Sequence, residues 1–84
     1  MTSIGETLAE RGSRYGSFET QAAIAQKLKA VMSPHYAKLA PDQCEALDHM
    51  AVKISRILNG DPNFHDHWHD LEGYAKLVAD RLAR

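Results

Sequence analysis

Three apolar stripes with steps of three and four residues predict an all-α protein, as do sharp breaks at Ser33-Pro34 and Asn59-Gly60-Asp61-Pro62 and the absence of any run alternating with a period of two. The expected architecture is a small antiparallel helical bundle of three main helices plus a short N-terminal helix, in one domain spanning 1–84.

The short first helix is expected from Ser3 to Glu10, where Ser3 and Glu6 have the spacing of a capping box. Arg11-Gly12-Ser13-Arg14-Tyr15-Gly16-Ser17 then reads as a loop, because glycines and serines interrupt the pattern. Ser17 is a suitable N-cap for a helix over 18–32, with Phe18, Ala22, Ala25, Leu28 and Met32 as its stripe. His35 to Leu39 reads as a short turn of helix packed by Tyr36 and Leu39. Pro41 suits a first helical turn, where its missing N–H has no partner to lose, so the next helix is expected over 41–58. Its inner face reads Leu47, Met50, Ala51, Ile54, Ile57 and Leu58. The last helix is expected to begin between Asn63 and His65 and to reach Leu82, with Trp68, Leu71, Ala75, Val78 and Leu82 inward. Gly73 in its middle costs about 1 kcal/mol relative to alanine. That cost suggests a close approach there by another backbone, a ligand or a neighbouring chain.

Apolar residues make up 44% of the 84 and charged residues 25%, enough for a modest core and unlike a disordered chain. The formal charge of -1 gives no global basic field, so nucleic acid is an unlikely partner. The single Cys44 excludes an intramolecular disulfide and points to a reducing, cytoplasmic setting. No run approaches the roughly 18 apolar residues of a membrane span. The first residues lack the basic start and apolar run of a signal peptide.

Three polar features carry candidate chemistry. On a helical wheel, Glu45, Asp48, His49, Val52, Arg56 and Asn59 gather opposite Leu47 and Ile54, with Lys53 at the edge. Such a row is ordinarily a solvated face of i,i+4 pairs. Acids mixed with cations can also bind Mg²⁺ and phosphate together. In the run His65-Asp66-His67-Trp68-His69-Asp70, two histidines four apart share a face, as do two aspartates. A zinc site would need further ligands, and acids in a first helical turn favour its positive end regardless. Glu45, Asp48, Asp66 and Asp70, converging from two adjacent helices, form the candidate metal set. Carboxylates so placed can hold Mg²⁺ against a nucleotide's phosphates, and the set resembles that of helical nucleoside-triphosphate pyrophosphohydrolases, which carry paired acidic motifs on adjacent helices. The third feature is the Arg11–Gly16 stretch, in which two arginines and Tyr15 suit an anion or a nucleotide. It lacks the Lys-Ser/Thr ending of a phosphate-binding loop. No nucleophile–base arrangement stands out, so no catalytic residue is assigned.

Three blocks also carry a likeness: Glu10-Arg11-Gly12-Ser13-Arg14-Tyr15-Gly16-Ser17-Phe18; Glu45-Ala46-Leu47-Asp48 with Lys53-Ile54-Ser55-Arg56-Ile57-Leu58-Asn59-Gly60-Asp61-Pro62; and Trp68-His69-Asp70-Leu71-Glu72-Gly73-Tyr74-Ala75. Over nearly its whole length the chain resembles an uncharacterised family of short helical proteins carried by tailed phages and prophages. Through Lys-x-x-Arg-Ile and Asp-x-x-Gly-Tyr-Ala it is more distantly similar to a phage domain associated with nucleotide modification. The resemblance implies an origin and a fold rather than a reaction. It also joins Arg11, Tyr15, Lys53, Arg56, Asn59, Asp66 and Asp70 in recognisable blocks. One reading of them is structural, with Arg56 paired to Asp66 or Asp70.

The expected function is that of a phage accessory protein binding a nucleotide-type anion. Arg11, Lys53 and Arg56 would meet phosphate, Asn59 would complete the polar set, and Tyr15 or Trp68 would stack a base. No cofactor is expected for this binding, and Mg²⁺ is the one ion that the carboxylate set would admit. Two alternatives are an interaction protein that blocks a host factor and the Mg²⁺-dependent hydrolase. A homodimer is also expected, because Ile24, Val31, Tyr74 and Leu77 lie outside the main stripes and a chain this short is marginal alone.

Overall fold

The computed structural model describes residues 4–84, so the capping box expected at Ser3 and Glu6 lies outside the described residues. Among these residues there is no strand. Four helices follow in order: α1 (Ile4–Tyr15), α2 (Phe18–Met32), α3 (Pro41–Asn59) and α4 (His65–Leu82), with a 3-10 turn over Ser33–Lys38. Ser17 caps α2, accepting a hydrogen bond from the Thr20 backbone N–H at 3.3 Å. Pro41 occupies the first turn of α3, and Gln43 reaches back to accept from the Ala40 N–H at 2.9 Å.

The first segment corrects the sequence reading. Instead of a short helix followed by a long loop, one helix of 12 residues runs to Tyr15, and only Gly16 and Ser17 connect it to α2. Glycine inside a helix costs about 1 kcal/mol, and docking of the Arg14–Tyr15 end outweighs it. Gly16 takes φ 76, the left-handed conformation that ends helices, and its N–H donates to the Gly12 carbonyl at 2.9 Å.

α3 is the centre of the bundle. It packs against both α2 and α4, whereas α2 and α4 scarcely touch; α1 lies on α3 and, more lightly, on α2. Asp42 meets Arg81, His49 stacks on Tyr74 and Lys53 meets Asp70, so rising numbers in α3 pair with falling numbers in α4.

This arrangement leaves a thin core. Among the described residues the buried apolar side chains are Ala25, Ala46 and Ala51, and the buried polar ones are Gln21, Ser55 and His67. Of α3's expected inner face only Ala51 is buried, while Ile54 and Leu58 are 38% and 67% exposed. Phe18, Trp68 and Leu82 of the other two stripes are exposed as well. The physical reason is the placement of α2 and α4 on either side of α3. They do not close over it, so one flank of each stripe stays open. Gly73 likewise faces open space: among the described residues, nothing beyond its own stretch of helix comes within 4 Å of a Cβ built there. Among the described residues, the close approach expected from sequence is not made.

Gln21 and Ser55 tie α2 to α3 through the core. The Gln21 amide donates to the Ser55 hydroxyl at 2.8 Å, and that hydroxyl donates to the Val52 carbonyl at 2.6 Å. Ser55→Ala strands a buried amide, which costs about 1–3 kcal/mol. Replacing both partners with apolar groups of similar shape removes most of that penalty. Urea denaturation of Ser55→Ala and of Gln21→Leu/Ser55→Ala checks it. A double variant no more stable than the single one would refute this account.

Candidate functional site

Arg11, Tyr15, Arg56 and Asn59 meet where the end of α1 crosses the α3–α4 connection. Asn59, the last residue of α3, donates from its side-chain amide to the carbonyls of Tyr15 at 2.9 Å and Ser17 at 3.0 Å. The Asp61 N–H donates to the Arg14 carbonyl at 2.7 Å. These bonds satisfy carbonyls that the end of a helix leaves without partners. Gly60 sits against the same turn, and a Cβ there would come under 3.0 Å from backbone atoms of Arg14 and Tyr15.

Rings and cations fill the junction. The Arg56 guanidinium lies over the Tyr15 ring at 4.5 Å from its centroid, and Arg11 lies over the same ring at 5.0 Å. Arg14 covers Phe64 at 4.9 Å. His67, only 2% exposed, packs its ring 5.0 Å from both Tyr15 and Phe64. Burial holds His67 below the usual histidine range. Nearby Arg56 and Lys53 act in the same direction, while a hydrogen bond with the Arg14 backbone and the charge of Asp70 oppose them. His67 Nε2 and Arg56 Nε are buried with no hydrogen-bond partner among the described residues. Sequence reading passed over His67 for the more visible His65–His69 pair. Its signal was an i+3 step from Phe64, hidden within a run of histidines and aspartates.

The remaining site residues are engaged separately. Lys53 forms an ion pair with Asp70 at 2.9 Å, and its hydrogen bond holds the Asp70 carboxyl below the usual carboxylate range. The structural pairing expected between Arg56 and Asp66 or Asp70 is therefore corrected: Asp70 pairs with Lys53, and Arg56 lies on a ring. The Trp68 indole donates to the Pro62 carbonyl at 2.8 Å and stays 54% exposed. Glu45 pairs with His49 at 3.0 Å, and Asp66 stands 3.6 Å from His65. Asp48 accepts from the Tyr36 hydroxyl at 2.8 Å. Partial burial, together with that bond, pushes the Tyr36 phenol up to about 12.

The four carboxylates of the candidate metal set thus have four different partners. Among the described residues no three His, Cys, Asp or Glu side chains gather closely enough to hold a metal ion. The His65 and His69 rings stack at 5.6 Å without a third ligand in that group. Nor is any helix among the described residues long and apolar enough to cross a membrane.

Beside the junction, α1 and α2 enclose a groove of 440 Å³ lined by Leu8, Arg11, Gly12, Tyr15, Gly16, Ser17, Phe18 and Gln21. Arg11 is exposed there, Phe18 is 80% exposed, and the N-terminus of the 15-residue helix α2 opens into it. The fold and this geometry define a small all-α bundle with a cation–aromatic junction and an adjoining groove. No protein-family model, curated protein or solved structure matches the chain.

Proposed function

We propose that this chain is a phage or prophage accessory protein that binds an anionic ligand of nucleotide type in the α1–α2 groove. The observation carrying the reading is the composition of that groove: an exposed arginine, two aromatic rings and a helix N-terminus around 440 Å³. A helix N-terminus presents N–H groups without intrahelical partners and a positive dipole end, which together favour phosphate. Arg11 supplies the charge, and Tyr15 or Phe18 supplies a face for a base. Arg56 and Asn59 act at one remove, holding the Tyr15 ring and backbone. Lys53 is neutralised by Asp70, and Trp68 bonds elsewhere, so neither belongs to this groove. The antiparallel reading of α3 and α4 is supported by the opposing order of their cross-helix pairs, and it brings both ends of the connection under α1.

A thermal-shift screen with nucleoside mono-, di- and triphosphates and cyclic nucleotides tests the reading. A ligand that prefers the folded state raises the melting temperature. Arg11→Ala is expected to weaken such binding about tenfold or more, the scale of one charge-assisted contact. Lys53→Ala should leave it unchanged. No shift across the panel, or equal loss in both variants, defeats the proposal. The host-factor alternative draws on the exposed lips of the same groove, Leu8 at 61% and Phe18 at 80%. Under that reading Phe18→Asp removes a protein partner and nucleotides have no effect.

A further inference from the structure

We propose that the open apolar flank of α3 and α4 is the seat of a second copy of this chain, paired about a twofold axis. Leu47, Met50, Ile54 and Leu58 follow one another on α3 at steps of three and four, so they share one side of the helix. α2 attaches at Ser55, and α4 attaches at Asp42, His49 and Lys53, which leaves this side between them. With Leu39 and Val78, the first two bound a groove of 260 Å³ whose one polar side chain is Gln43. Depletion of charge around apolar side chains is the mark of an interface core.

The surface area argues for an occupant and for its size. The chain exposes 5982 Å². A folded monomer of 9.4 kDa exposes about 5,000 Å². The excess, roughly 1,000 Å², is close to the ~800 Å² each partner buries in a standard stable interface. The radius of gyration, 14.6 Å, also exceeds the ~12 Å of a compact chain this long. A second copy is the occupant that removes the excess on both chains at once. The ridge of Ile54 and Leu58 and the groove beside Leu47 lie on one side of α3, so a ridge of each copy meets a groove of the other, as an isologous contact requires. The formal charge of -1 per chain opposes such pairing very little. The inference is independent of the ligand reading, because the α1–α2 groove shares no lining residue with this flank.

Sedimentation velocity and light scattering across the micromolar range test it. The expected mass is twice 9.4 kDa, with a melting temperature that rises with protein concentration. Leu58 is 67% exposed in the single chain, so Leu58→Glu should keep its helical circular dichroism while the mass falls to 9.4 kDa. Leu77, 70% exposed, borders the opposite flank of α4 beside Tyr74, and Leu77→Glu should leave the mass at the wild-type value. A folded wild-type chain that stays at 9.4 kDa throughout overturns the proposal. So does a dimer that survives Leu58→Glu, or one that Leu77→Glu dissociates while Leu58→Glu does not. If Leu58→Glu fails to fold, the wild-type concentration series decides alone.

Discussion

Gly60→Ala is expected to destabilise the protein by about 3 kcal/mol, among the largest effects of any one-methyl change in the chain. A Cβ at this position would stand under 3.0 Å from the Arg14 carbonyl and from Tyr15 main-chain atoms. Backbone cannot rotate away as a side chain does, so the whole end of α1 must lift. Lifting it breaks the Asp61-to-Arg14 bond and pulls on both Asn59 bonds. Gly12 and Gly73 provide the contrast, since among the described residues nothing beyond their own stretch of helix comes within 4 Å of a Cβ at either. Gly12→Ala should therefore stabilise α1 by up to about 1 kcal/mol through helix propensity. Urea midpoints of Gly60→Ala and Gly12→Ala check both signs. Equal midpoints for the two variants would mean that the junction is looser than described.

The second large effect belongs to His67. Truncating this nearly fully buried ring to alanine opens a cavity between Tyr15 and Phe64, a loss of about 3 kcal/mol by analogy with buried aromatic truncations. Protonation attacks the same place. The folded value lies below the ordinary 6.5, so between the two the unfolded chain binds more protons than the folded one. The contribution to stability is full above 6.5 and is lost as pH falls from there towards the folded value. The groups facing the ring are Arg14 and Tyr15 from α1, Lys53 and Arg56 from α3, and Asp70 from α4. Burial is the first reason a charge on His67 is poorly received, and the cations Arg56 and Lys53 add to it, while the Arg14 backbone and Asp70 oppose it.

Asp42 and Asp70 add a separate loss at lower pH. Their carboxyls lie below the ordinary 3.8 because of Arg81 and Lys53, so their contributions are present above 3.8 and vanish as pH drops through the folded values. The melting temperature should therefore fall in two stages on acidification. His67→Phe keeps a ring of comparable size and removes the titration. It should flatten the first stage and leave the second. A wild-type melting temperature constant from about pH 7.5 to about pH 5 would contradict the assignment.

The sequence by itself determined the helices. Ser17 as a cap, Pro41 at a first turn and the break at Asn59–Pro62 are local signals, and local hydrogen bonding and dihedral preference are enough to read them. The helices beginning at Phe18, Pro41 and His65 accordingly start where the sequence places them. α1 was legible only in part, because its last turn is held by contacts with residues more than forty positions away. The amphipathic stripes told which residues are apolar but not which would be covered, since coverage depends on how α2 and α4 sit around α3. Ile54 and Leu58 are the clearest instance.

The candidate site divides the same way. Arg11, Tyr15, Arg56 and Asn59 were candidate ligand-binding residues in the sequence, and the tertiary structure brings these four together at one junction. What each does there follows from partners that only folding supplies: a ring for Arg56, two carbonyls for Asn59, an ammonium for Asp70. The spacing of Glu45, Asp48, Asp66 and Asp70 allowed a shared metal, and in the fold the four carboxylates have four different partners. His67 was beyond reach for a related reason. A histidine within a run of histidines and aspartates carries only a faint periodic trace, the i+3 step from Phe64, and its burial arises only when α1 closes over the α3–α4 connection.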